Sequence, residues 1–85
     1  MQYFTYVLYF ESDGKFYIGY TSDLTNRLKE HKSRNVTATK HRGNFKLVYY
    51  ECCVDGKDAR KREKYFKTGF GRRFLNNRLE NYFTS

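Results

Sequence analysis

The chain has 85 residues, 17 Lys and Arg against nine Asp and Glu for a formal charge of +8, and nine Tyr plus eight Phe with no Trp or Pro. A chain of this length organises one small core, so residues 1–85 are expected to form a single domain with no room for a separate recognition module. The aromatic content excludes a basic disordered tail. The charge selects polyanionic partners, nucleic acid ahead of an anionic membrane surface or an acidic protein, because each neutralised phosphate releases condensed counterions.

The start of the chain, "MQYFTYVLYF", lacks the basic segment, apolar run and small-residue cleavage site of a secretory leader. No apolar stretch approaches the ~18 residues of a membrane span. The expected setting is therefore cytoplasmic, without a membrane partner. Cys52 and Cys53 are adjacent, a poor geometry for bridging each other, and are expected to be reduced thiols.

Residues 3–11, "YFTYVLYFE", and 15–20, "KFYIGY", are dense in β-formers and flank "SDG", which predicts a hairpin. With Asp13 and Gly14 as the loop, Ser12 would face Lys15, Phe10 would face Tyr17, Leu8 would face Gly19 and Tyr6 would face Thr21. Paired residues share a face, so Tyr6 and Tyr17 should lie on the same side of the sheet. A helix is expected from Ser22 or Asp23 to about Lys32, both starts being good N-caps.

Residues 33–44 form a basic loop with little periodicity, and 45–53, "FKLVYYECC", read as a third strand. A second helix is expected from about Lys57 to Thr68 with Gly69 as its stop. From Gly71 to Phe83, the residues Phe74, Leu75, Leu79, Tyr82 and Phe83 recur at helical spacing. The order β-β-α-β-α-α predicts an α+β domain, a small three-stranded antiparallel sheet flanked by helices.

Three choices sit badly in a plain core. At about 100° per residue, Arg27 and His31 fall beside or inside the stripe marked by Leu24 and Leu28, whereas Asn26, Lys29 and Glu30 point away. Arg27 and His31 are thus aimed at the sheet. Glu63 falls within the apolar stripe of Ala59, Phe66 and Phe70, where an ionised carboxylate must be paired, bound to a metal or protonated. An ion pair with Arg62 or Arg27 is the simple structural explanation. Gly19 interrupts a strand, which marks the close approach of a ligand or another backbone, or else a bulge or a helix-packing contact.

These residues, in this order, resemble the GIY-YIG nuclease superfamily, especially its small single-domain, excinuclease-subunit-like members. "YIG" is literal as Tyr17-Ile18-Gly19, and "GIY" corresponds to Phe4-Thr5-Tyr6 with the tyrosine kept. Arg27, His31 one turn later and Glu63 in "DARKREKYFK" follow at fitting spacing, so the resemblance runs from about Phe4 to Phe74. Tyr20 stands where some members carry a basic residue, and no downstream asparagine can be matched.

The resemblance implies a metal-dependent DNA endonuclease of repair, recombination or mobile-element type. Glu63 would hold one Mg²⁺ or Mn²⁺ with water and substrate oxygens, and Arg27 would stabilise the pentacoordinate phosphate. Tyr17 would accept the proton of the attacking water, Tyr6 would orient that water or exchange roles with Tyr17, and His31 would relay the proton or bond the phosphate. Gly19 would let the substrate backbone approach. Lys40, Arg42, Lys64 and Lys67 would bind the flanking phosphates. The alternative is a catalytically weak or silent nucleic-acid-binding module on the same scaffold. A lone catalytic core also leaves room for a protein partner that supplies targeting. A zinc site from His31, His41, Cys52 and Cys53 lacks paired ligand spacing.

Overall fold

Tyr6, Leu8 and Phe10 alternate with Thr5 and Val7 along the first strand, and all five are wholly buried. A strand covered on both faces has to lie at the centre of its sheet with helices on either side. The computed structural model, which describes residues 1–85 throughout, has that arrangement. In chain order it comprises β1 (Tyr3–Phe10), β2 (Lys15–Thr21), α1 (Leu24–Lys32), β3 (Phe45–Cys53), α2 (Gly56–Phe66), α3 (Gly69–Arg78) and α4 (Glu80–Thr84). The strands form one antiparallel sheet in the order β2-β1-β3. This is the expected α+β fold with one short helix added at the end. No helix is long and apolar enough to cross a membrane.

The sheet separates two apolar clusters. On one face Tyr6, Leu8 and Phe10 pack with Tyr17, Phe45, Leu47 and the α1 residues Leu24 and Leu28. On the other, Val7 and Ile18 pack with Phe66 of α2 and Leu75 of α3. The Thr5 hydroxyl donates to the Ala59 carbonyl and ties α2 to the central strand. A bulge in β3 sets Val7 opposite Tyr49 but Leu8 opposite Leu47. The extra residue, Val48, joins Tyr49 on the α2 side while Leu47 stays on the α1 side.

The hairpin register differs from the expected one. Phe10 pairs with Lys15, Leu8 with Tyr17, Tyr6 with Gly19 and Phe4 with Thr21. Glu11 to Gly14 all belong to the turn, because Asp13 folds back to accept from the Lys15 amide at 2.9 Å and Ser12 donates to the Arg42 carbonyl. The slip is an even number of residues, so every side chain keeps its face. Tyr6 and Tyr17 therefore share the α1 face as expected.

The helices after β3 also depart from expectation. α2 ends at Phe66, and Gly69 opens α3 rather than stopping α2, with Thr68 capping α3 by accepting from the Gly71 amide. A Cβ at Gly71 would strike the backbone of Tyr65 and Phe66, so glycine permits α3 to cross directly over the end of α2. Phe70 consequently leaves the α2 stripe and is 71% exposed. The predicted 71–83 helix is broken at Leu79 into α3 and α4.

Candidate active site

The Asp23 carboxylate accepts from the Asn26 amide and fixes the start of α1. From that start, Arg27 and His31 lie one turn apart on the side facing the sheet. His31 is only 3% exposed, and its ring bridges two hydroxyls: Nε2 lies 2.8 Å from Tyr6 Oη and Nδ1 lies 2.8 Å from Thr39 Oγ1. Arg27 Nε donates to Tyr6 Oη at 3.4 Å, and its Nη1 pairs with Glu30 at 3.1 Å. Tyr6 is thus the hub that joins Arg27 to His31. Glu30 does not simply point away, because it steadies the guanidinium from one turn along the helix.

The local electrostatics assign protonation states. Burial, more than any other cause, raises the Tyr6 pKa to about 12, and the field of Glu63 adds to the rise, so the phenol keeps its proton at neutral pH. Burial and the neighbouring Arg27 charge lower the His31 pKa, which favours neutral imidazole. Tyr6 and Glu30 accept from Arg27 and hold it in its charged form. Neutral imidazole has one acceptor nitrogen and one donor nitrogen, and Arg27 can only donate to Tyr6. A chain in which Tyr6 donates to His31 Nε2 and His31 Nδ1 donates to Thr39 satisfies every member.

Tyr17 completes this face. Its ring lies 6.3 Å from Tyr6 and 5.2 Å from His31 between centroids. The side chain is half-buried and its hydroxyl bonds no protein group, yet it is not a buried unsatisfied atom, so it meets solvent. At Gly19 the close approach comes from within the chain. A Cβ at this position would collide with the Tyr6 ring, so the feature approaching the glycine is the chain's own tyrosine.

Glu63 is linked to this set by charge rather than by a hydrogen bond. It lies on α2, which packs across the sheet from α1, and no hydrogen bond joins it to Tyr6, Tyr17, Arg27 or His31. Its influence on Tyr6 is through charge. The expected pairing with Arg62 or Arg27 is also absent. Glu63 instead pairs with Lys67 at 3.3 Å and Arg60 at 3.8 Å, while Arg62 takes Glu51 as a two-nitrogen partner. Glu63 retains 16% side-chain exposure, and both its partners are more than half exposed. Its oxygens can therefore exchange these flexible cations for a hard divalent ion completed by water and phosphate. A closed protein cage is not available, since no three His, Cys, Asp or Glu side chains converge.

The expected phosphate-binding residues divide in two. Lys40 and Lys64 are exposed and make no ion pair, whereas Lys67 is engaged by Glu63. Arg42 is built into the fold: it donates to Asp13 at 3.0 and 3.3 Å and stacks 4.1 Å from the Phe10 ring centroid. Thr39 was not among the expected site residues. It sits in a segment without periodicity, where Val36 and Thr39 are buried by short turns, and only the histidine it contacts reveals its importance.

The family described as the GIY-YIG catalytic domain matches residues 2–83. The chain is 40% identical over 58 residues to a UPF0213 protein of Bacillus pumilus, covering 67% of this chain and 59% of the relative. A UPF0213 protein of Bacillus licheniformis is 39% identical, with 65% and 58% covered. The chain therefore spans under two thirds of the length of these relatives. The solution NMR structure of a UPF0213 protein from Bacillus halodurans superposes with a TM-score of 0.58 at 30% identity, covering 91% of this chain and 84% of that one.

Proposed function

The chain belongs to the GIY-YIG catalytic-domain family, and from that premise we propose that it is a divalent-metal-dependent DNA endonuclease serving repair, recombination or mobile-element processing. The observation that carries this reading is the linked set Arg27, Tyr6 and His31 beneath the solvent-facing hydroxyl of Tyr17. Phosphodiester hydrolysis needs a proton acceptor at the attacking water and fixed positive charge at the phosphoryl oxygens.

Arg27 supplies the charge. Its side chain is 34% exposed, and the guanidinium N–H groups not used by Tyr6 and Glu30 can fork onto phosphate oxygens. Tyr17, open to solvent, takes the water-facing role. Tyr6 keeps its proton and bonds Arg27 and His31, so it acts as a positioning residue rather than as an exchangeable base. Neutral His31, held through Nδ1 by Thr39, accepts the Tyr6 hydroxyl at Nε2 and so fixes where the phenol oxygen lies beside Arg27. Glu63 would hold Mg²⁺ or Mn²⁺, which when bound supplies charge stabilisation at the phosphate and the leaving oxygen. Exposed Lys40 and Lys64 would bind neighbouring phosphates.

The test is a panel of duplex, single-stranded and branched DNA incubated with purified protein and Mg²⁺ or Mn²⁺. Metal-dependent nicking of at least one substrate supports the reading. Intact DNA throughout, at high protein concentration, replaces it with a catalytically silent nucleic-acid-binding module.

A further inference from the structure

Beside the start of α2, on the sheet face away from His31, the chain carries a groove of about 560 Å³. Its floor is aromatic. The Tyr3 and Tyr20 rings lie 6.2 Å apart and within 7° of parallel. The Arg60 guanidinium rests over Tyr20, 4.1 Å from the ring centroid, and its side chain is 62% exposed. Gly56 makes room for this floor, since a Cβ there would come within 2.9 Å of the Tyr20 hydroxyl. The walls are basic: Lys57, Lys61 and Lys64 line the groove, are exposed, and pair with no carboxylate. The one acid in the lining, Asp55, is occupied in capping α2.

The geometry points to a site for an unpaired nucleic-acid strand, with one base stacked on the Tyr3, Tyr20 and Arg60 shelf and its flanking phosphates on the three lysines. Charge alone would serve a duplex equally well. Flat aromatic and guanidinium faces do not, because duplex bases already stack on their neighbours and present no free π-face. The groove also adjoins the candidate metal ligand, since Arg60 pairs with Glu63 one turn along α2. This assignment rests on the nuclease reading of the same molecule. It narrows the substrate to DNA with a single-stranded segment beside the cut.

The experiment measures binding by fluorescence anisotropy in EDTA, so that no strand is cut and a failure of nuclease activity leaves the readout untouched. The probes are a single-stranded oligonucleotide, a blunt duplex of the same sequence, and the single strand with abasic residues. Arg60→Lys keeps the charge but removes the flat face, and Tyr3→Ala removes a ring. Each is expected to weaken single-strand binding by about ten-fold while changing duplex binding by less than about two-fold. The abasic strand is expected to bind the unaltered protein as weakly as the normal strand binds the variants. Equal losses on both DNA forms, unchanged single-strand binding by Arg60→Lys, or full affinity for the abasic strand would each overturn the assignment. If Tyr3→Ala fails to fold, Arg60→Lys and the abasic strand decide the matter.

Discussion

The Tyr6 ring lies over Gly19 on the neighbouring strand so closely that no side chain larger than hydrogen fits beneath it. The glycine of "YIG" thus sets the position of the tyrosine that holds Arg27 and His31. Gly19→Ala is expected to destabilise the fold by about 1–3 kcal/mol through overpacking. Tyr6→Leu removes the ring atoms that the new methyl would strike, so the double variant should lose less than the sum of the two single losses. Urea denaturation of the four proteins measures this coupling. A Gly19→Ala chain as stable as the parent would return the glycine to the substrate-access role.

Arg27 and Glu63 should separate catalysis from binding. Arg27→Lys keeps a charge but loses the fork, and Glu63→Gln keeps the size but loses the negative charge needed for a hard cation. Each should lower the single-turnover nicking rate by roughly 10²–10³-fold, with DNA affinity changed by less than about three-fold. Titrating Mn²⁺ adds a second readout. Glu63→Gln should require more metal for half-maximal rate, whereas Arg27→Lys should keep the metal dependence of the parent.

The site was readable where local pattern and tertiary packing agree. Arg27 and His31 stand out because their angular positions coincide with Leu24 and Leu28, and the structure turns all four inward. The Glu63 pairing was not readable, since the same helix offers Arg60, Arg62 and Lys67, and Glu51 on β3 decides which arginine remains free. Thr39 was hidden for a related reason: its burial depends on the turns beginning at Val36, which leave no periodic trace. The hairpin slip came from Asp13 and Ser12 forming turn bonds that lengthen the loop without changing which face each residue occupies.

Arg42 and Lys40, two residues apart, should respond oppositely to removal. Arg42 clamps the Asp13 turn and covers Phe10, while Lys40 is exposed and unpaired. Arg42→Ala is therefore expected to lower the urea midpoint, and Lys40→Ala to leave it unchanged while weakening DNA binding at low salt. The guanidinium holds the Asp13 carboxyl below its usual pKa, so this contribution is full above the unfolded value of 3.8 and is lost as the pH falls from there through the lower folded pKa. The stability difference between parent and Arg42→Ala should narrow on acidification.

Tyr6 should be recognisable in an alkaline titration. Its folded pKa of about 12 exceeds the reference of 10.0, so the native state binds more protons than the unfolded chain between these values. Stability from this group is full below about pH 10 and declines as the pH rises towards 12. Ultraviolet difference titration of the parent against Tyr6→Phe should place the missing phenolate step near 12. A missing step near 10 would mean that the Tyr6 hydroxyl is hydrated and that the closed link to His31 is wrong.

His31 gives the fold a dependence on pH of the opposite sign. Its pKa is lowered by burial and by Arg27, so below the reference of 6.5 the unfolded chain takes up a proton that the native imidazole refuses. Stability is full above about pH 6.5 and falls as the pH drops towards the folded pKa, below which this contribution stops changing. His31→Gln can still bond Tyr6 and Thr39 but cannot titrate. It should therefore flatten the stability profile below 6.5 even if it lowers stability at pH 8. Thr39→Val removes the partner of Nδ1 and leaves a buried donor unmet, at a cost of about 1–3 kcal/mol. It should also reduce nicking while leaving DNA affinity unchanged, because the ring loses its fixed orientation towards Tyr6. Chemical denaturation from pH 5 to 8, paired with single-turnover nicking at pH 7.5, tests both effects. A Thr39→Val protein with parental rate and stability would show that His31 is oriented by Tyr6 alone.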